Sequence, residues 1–178
     1  MARAQLGWPG QRNFVLNSAT VLRDVYRLLT MVLADRELSV LARERGEPLA
    51  RLRDQFVDDE FIHLLIATAV TNRARDDHMR GLRQDQNAGF QQLVHVCGRL
   101  KADVTANGQI ELDFREACNK ILHAEEISTE PEDGDAYTFP IIPRHAVLRG
   151  HLGQQAWEAH LDLVEYARAS VRNFGDLG

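Results

Sequence analysis

The sequence predicts a mainly α-helical fold: a bundle of four to five helices with a small β-hairpin before the C-terminal helix. Three observations carry this. Apolar residues recur at helical spacing in four separate stretches. The spacing changes to strict alternation only near Trp157. No Pro/Gly/Ser-rich linker divides the 178 residues, so a single domain spanning 1–178 is expected.

Taken in order, residues 1–16 read as an arm, broken by Gly7, Pro9 and Gly10. A helix is expected from Asn17 or Ser18, either of which caps well. Val21, Leu22, Val25, Leu28, Leu29, Val32 and Leu33 form its apolar face, and the pattern runs on to Gly46 and Pro48. "PLARLRDQF" reads as a short helix of its own. A second long helix starts near Asp58, where acidic residues suit the partial positive charge of a helix N-terminus. Its core face is expected to use Phe61, Ile62, Leu65, Ala69 and Val70, and Gly81 with "RQDQNAG" ends it in a loop.

Phe90, Leu93, Val94, Cys97 and Leu100 predict a third long helix over 88–100, weakened by Gly98. "ADVTANGQIEL" holds an Asn-Gly turn signal and reads as a small hairpin connection. Asp113 and Glu116 resemble a capping box, and Phe114, Ala117, Cys118, Ile121 and Leu122 give the next helix its buried stripe. "STEPEDGD" is expected to be a polar loop. "FPIIPRHAVLRGHL" carries two prolines, which suits an edge strand. Trp157, Ala159, Leu161 and Leu163 alternate with Glu158, His160 and Asp162, predicting a strand with one wet face that pairs with the preceding one. Asp162 and Glu165 then start a closing helix through Val164, Ala167 and Val171.

Composition narrows the function classes. A net charge of −5 argues against a broad nucleic-acid-coating surface, though not against a local basic pocket. Cationic residues are nearly all arginine, the only lysines being Lys101 and Lys120. The two cysteines, Cys97 and Cys118, lack zinc spacing and read as buried thiols of a reducing cytoplasm. "MARAQLGWPGQRNF" lacks the apolar run of a signal peptide, and no segment is long and apolar enough to span a membrane. A cytoplasmic protein with no membrane partner is therefore expected. No Gly-rich phosphate loop, Ser-His-Asp arrangement or HExxH occurs, and no cofactor is expected.

The chemistry-bearing stretch is "FREACNKILHAEEI". Arg115, Asn119 and His123 follow at i, i+4 and i+8, so they share one helix face. Asn119 and His123 lie about 6 Å apart along the axis, Arg115 and His123 about 12 Å. Arg73, in "TNRARDDH", is a second candidate cation; with Asp76 and Asp77 it reads first as a surface ion-pair cluster. Those two aspartates with His78 are a lesser candidate for a divalent cation. Adjacent side chains point about 100° apart on a helix, so no metal ligand is assigned.

"NKILHA" on a helix of a small bundle resembles the HEPN superfamily, whose hallmark is an Arg followed by a His, often as Arg-Asn-x-x-x-His. Asn119 and His123 match the last two fixed positions; Cys118 stands at the Arg position, so the motif is incomplete. "CG", "REACNKILHA" and "WEAHLDL" together also resemble a group of bacterial proteins, which carries over no activity. The HEPN resemblance implies RNA binding or metal-independent RNA cleavage, commonly by a dimer, in a bacterial toxin–antitoxin or anti-phage setting. In that chemistry His123 moves a proton near neutral pH. Asn119 orients the histidine or the phosphate, and Arg115 or Arg73 supplies the missing positive charge. The rival reading is a non-catalytic interaction or assembly subunit whose helices pair with a second copy or another protein. It predicts a large exposed apolar patch.

Overall fold

A computed structural model of the chain describes residues 18–42, 44–81, 93–129 and 139–174; the expected arm, 1–16, lies outside them. The chain is not a helical bundle with one hairpin. It builds four helices and a five-stranded antiparallel sheet. The order is α1 Ser18–Leu41, α2 Pro48–Gly81, β1 Val96–Lys101, β2 Ile110–Asp113, α3 Phe114–His123, β3 Glu126–Thr129, β4 His145–Leu152, β5 Gln155–Asp162 and α4 Leu163–Phe174. Across the sheet the strands run β2-β1-β5-β4-β3.

The expected third helix is strand β1, and a bulge explains the misreading. Val96 pairs with Asp113 and Gly98 with Leu112, so Cys97 is an extra residue in the ladder. The bulge resets the alternation, and Cys97 and Leu100 both turn inward although three residues apart. That spacing imitates a helix. Residues 88–92 lie outside the described residues. The Asn107-Gly108 stretch does lie in a hairpin connection, here between β1 and β2.

The expected edge strand is β4, which is internal, hydrogen-bonded to β3 and β5. Its prolines, Pro140 and Pro143, fall before the strand, where they cost the ladder no donor. The expected polar loop begins inside β3, whose Ser128 and Thr129 pair with Val147 and Ala146. The rest of that stretch lies outside the described residues. "PLARLRDQF" is not a separate helix: Pro48 opens one continuous α2, at the position where a missing N–H is harmless. The paired hairpin β4–β5 and the closing helix stand as expected. Asp113 and Asp162 cap α3 and α4, each accepting backbone N–H bonds, from Glu116 at 2.8 Å and from Val164 at 2.9 Å.

One face of the sheet is dry. Leu100, Leu112, Ala146, Leu148, Trp157, Ala159 and Leu161 meet Phe114, Ala117, Ile121, Leu163 and Tyr166 of α3 and α4. Helix α2 closes over these with Phe61, Leu64, Leu65 and Ala69, and α1 packs on α2 and α4. Between α2 and α4 the core is polar but paired: Asn72 donates to Ser170 Oγ at 2.9 Å and accepts from Asn173 at 3.0 Å. Such a paired stripe fixes the register of the two helices.

The other sheet face is wet and charged, centred on Glu158. Its carboxylate meets His160 at 3.0 Å, Arg149 at 2.9 Å and Lys101 at 3.2 Å. His160, then Arg149 and Lys101, hold the Glu158 carboxyl down at about 2, against burial, which opposes ionisation. A depressed carboxylate stabilises the fold above its ordinary value of 4.5, and that contribution is lost as pH falls toward 2. Glu158→Gln should therefore cost about 1–2 kcal/mol at neutral pH and close to nothing near pH 2, with allowance for solvent screening. Urea midpoints of both proteins across that range check it; a cost unchanged by pH contradicts the assignment.

Candidate functional site

Helix α3 presents its polar residues as a flank that turns steadily outward. Its buried face is Phe114, Ala117, Cys118 and Ile121. Arg115 and Asn119 are half-buried and His123 is exposed at the helix end. Gly150 allows this end to sit on the sheet: a Cβ there would come 2.9 Å from the His123 carbonyl oxygen and 2.5 Å from the Trp157 ring. On the other flank Lys120 stacks over the Trp157 ring, 4.3 Å from its centre.

The structure does not bring all four sequence candidates together. Arg115 turns toward α2, where it pairs with Asp76 and, at 2.7 Å, with Asp77. Arg73 is 3.4 Å from the same Asp77, and Arg80 is 2.8 Å from Asp76. Arg73 and Arg115 thus share one ion-pair network. The cavity they line with Asn72, Asp76, Phe114 and Cys118 measures about 10 Å³, room for about one water. Burial, and then the neighbouring Arg73, pull the Arg115 pKa below its ordinary value. Cys118, at the motif arginine position, is a buried thiol. Burial pushes it up to about 12, although Tyr166 and the two arginines act the other way, so it is neutral and unreactive at physiological pH. Cys97 is likewise free and buried, its pKa raised by burial.

Asn119 donates to Glu116 Oε2 at 2.9 Å, within its own helix. Among the described residues, the His123 imidazole makes no hydrogen bond or ion pair. Asn119 and His123 therefore keep the shared flank that their spacing implies, with the arginines directed elsewhere. Asp76 and Asp77 are engaged by arginine, and the described residues hold no cluster of three or more His, Cys, Asp or Glu able to ligate a metal.

A second feature lies on α1 and α2, and the sequence alone does not single it out. Helices α1 and α2 each carry a second apolar stripe, facing away from the core. On α1 it contains Tyr26, Leu33 and Val40, between 62% and 69% exposed; on α2 it contains Leu52, Phe56, Ile62, Ile66 and Val70. Leu33, Ile62 and Val70, expected in the core, belong to these stripes, while Leu64 and Thr68 take the buried places. A groove of about 500 Å³ runs between the helices, walled by Met31, Leu38, Leu41 and Phe56. Asp35 and Arg53 brace it: Arg53 Nε and Nη2 each donate to the Asp35 carboxylate at 2.9 Å. The available signal was breadth: apolar residues cover more of α1 than one packed face requires.

No protein-family model, curated protein or solved structure matches this chain. Among the described residues, no helix is long and apolar enough to cross a membrane.

Proposed function

We propose that this chain is a non-catalytic interaction or assembly subunit that works through the outward faces of α1 and α2. One observation carries the reading: two long helices expose large apolar side chains along most of their length, on the side away from a complete core. Single exposed apolar residues are ordinary; contiguous apolar stripes mark contact surfaces. The acidic balance of the chain also suits a protein partner.

Sedimentation velocity of labelled full-length chain, pure and in extract of its native cells, tests this. The expected particle exceeds the 20.2 kDa monomer in at least one setting. Leu33→Asp should reduce it to monomer while leaving the circular dichroism unchanged. A chain that sediments as a monomer in both settings contradicts the reading.

A second reading rests on the exposed His123 imidazole with an amide one turn back: an RNA-binding or metal-independent ribonuclease-type protein resembling HEPN domains. It needs a cation beside His123, and Arg115 is held by Asp76 and Asp77. RNA cleavage in chelator that His123→Ala removes would favour it over the assembly reading.

A further inference from the structure

The outward stripe of α1 has more order than exposure alone requires. Leu22, Tyr26, Leu29, Leu33, Arg36 and Val40 are spaced 4, 3, 4, 3 and 4 residues apart; Leu22 and Leu29 are half-buried, Leu22 against the contact of α1 with α4, and the other four are exposed. That is the seam of a two-helix coiled coil, about 27 Å long. The seam is flanked on one side by buried Val25, Val32 and Ser39, which face the core. On the other side it is flanked by Arg23, Thr30 and Glu37. Arg23 and Glu37 are exposed, and neither is in an ion pair among the described residues.

Resting on the assembly reading, we propose that the occupant of this face is the α1 helix of a second copy, packed antiparallel about a two-fold axis level with residue 31. Charge and shape together select this arrangement. Antiparallel pairing stacks Leu22 on Val40, Leu29 on Leu33 and Tyr26 on Arg36 of the other copy, and each layer occurs twice. The seam's only charged residue then meets an aromatic face. The same register brings Arg23 of each copy beside Glu37 of the other. A parallel pair fails on both counts: it sets Arg36 against Arg36 inside the seam, and it turns the Arg23 and Glu37 flank of each copy toward the Val25, Val32 and Ser39 flank of the other, which holds no opposite charge. The pattern is complementary to its own reversal, which is what an isologous two-fold interface demands of one sequence. An unrelated partner would place no such demand on it.

The test is sedimentation equilibrium of the pure full-length chain with Arg23→Glu, Glu37→Arg and the double exchange R23E/E37R. All three sit on the surface, so the fold is expected to survive. The expected wild-type species has twice the monomer mass of 20.2 kDa. By symmetry each single reversal creates two like-charge contacts, and dimerisation should weaken about tenfold. The double exchange rebuilds both pairs and should restore the wild-type constant to within about threefold. A dimer indifferent to the single reversals, or a double variant weaker than either single, overturns the register. A pure chain that stays monomeric but is found in a larger, Leu33-dependent particle in cell extract overturns the second copy as partner and leaves the assembly reading standing. Monomer in both settings overturns both.

Discussion

Gly98→Ala should cost about 3–4 kcal/mol, or leave no folded protein to measure. Gly98 sits in β1 beside the bulge with φ +154°, and β1 is hydrogen-bonded on both sides. A Cβ there would stand 1.9 Å from the His160 carbonyl oxygen and 3.0 Å from its carbon. Both atoms are backbone, so no rotamer relieves the clash; β1 must move away from β5. Movement disrupts the pairs Gly98–Leu161 and Arg99–His160 and opens the packing of Cys97 and Leu100, both fully or nearly buried. Overpacking a well-packed core costs about 1–3 kcal/mol, and a backbone-to-backbone contact belongs at or above the upper end. Against a total stability of about 5–15 kcal/mol this is a severe loss. Urea unfolding measures it. A variant within about 1 kcal/mol of wild type contradicts the bulged register, and with it the explanation of why this strand looks helical in the sequence.

Asp35→Ala should cost about 3–5 kcal/mol. Asp35 is 5% exposed and ties α1 both to α2 and to the segment before β4. It accepts two bonds from Arg53 of α2, and its Oδ2 accepts from the Ile142 backbone N–H at 2.7 Å. Arg53 in turn donates to the Pro140 carbonyl at 2.8 Å and lies over the Phe139 ring, 4.7 Å from its centre. Burial disfavours the Arg53 charge, yet the bonds to Asp35 outweigh it and raise the pKa above its ordinary value. Removing the carboxylate strands that guanidinium and leaves the Ile142 N–H without its acceptor. Losing one partner of a buried pair is expected to be worse than losing both. The double variant D35L/R53M should therefore be less destabilised than the sum of the two single changes. Chemical denaturation of the four proteins gives the coupling; strict additivity would show that the pair acts as two separate surface charges. Because this brace lies at the groove between α1 and α2, its loss should also weaken association through those helices.

Local signals were legible because their physics is local. Asp113 and Asp162 cap helices within one turn, and Trp157, Ala159 and Leu161 show period two because β5 is dry on one side only. Signals that depend on partners distant in sequence were not. β1 looks helical because its bulge can be recognised only once β2 is alongside. β3 is four residues with one inward apolar side chain, Ile127, too little to mark a strand. Nothing in residues 130–160 reveals that β4 will be flanked on both sides. The α3 flank was legible to the same extent: Asn119 and His123 do share it, as i and i+4 must. Whether Arg115 joins them depends on Asp76 and Asp77, more than 35 residues earlier. The outer stripes of α1 and α2 were visible as apolar positions, but spacing alone does not tell which of two apolar faces a helix buries.

The most direct measurement is the molar mass of the pure full-length chain by light scattering across a dilution series, with Leu33→Asp alongside. Self-association through α1 predicts a mass that approaches twice 20.2 kDa at high concentration and falls on dilution, while the variant stays at the single-chain value throughout. A wild type that holds the single-chain mass at every concentration, indistinguishable from the variant, would contradict self-association through the outward face of α1.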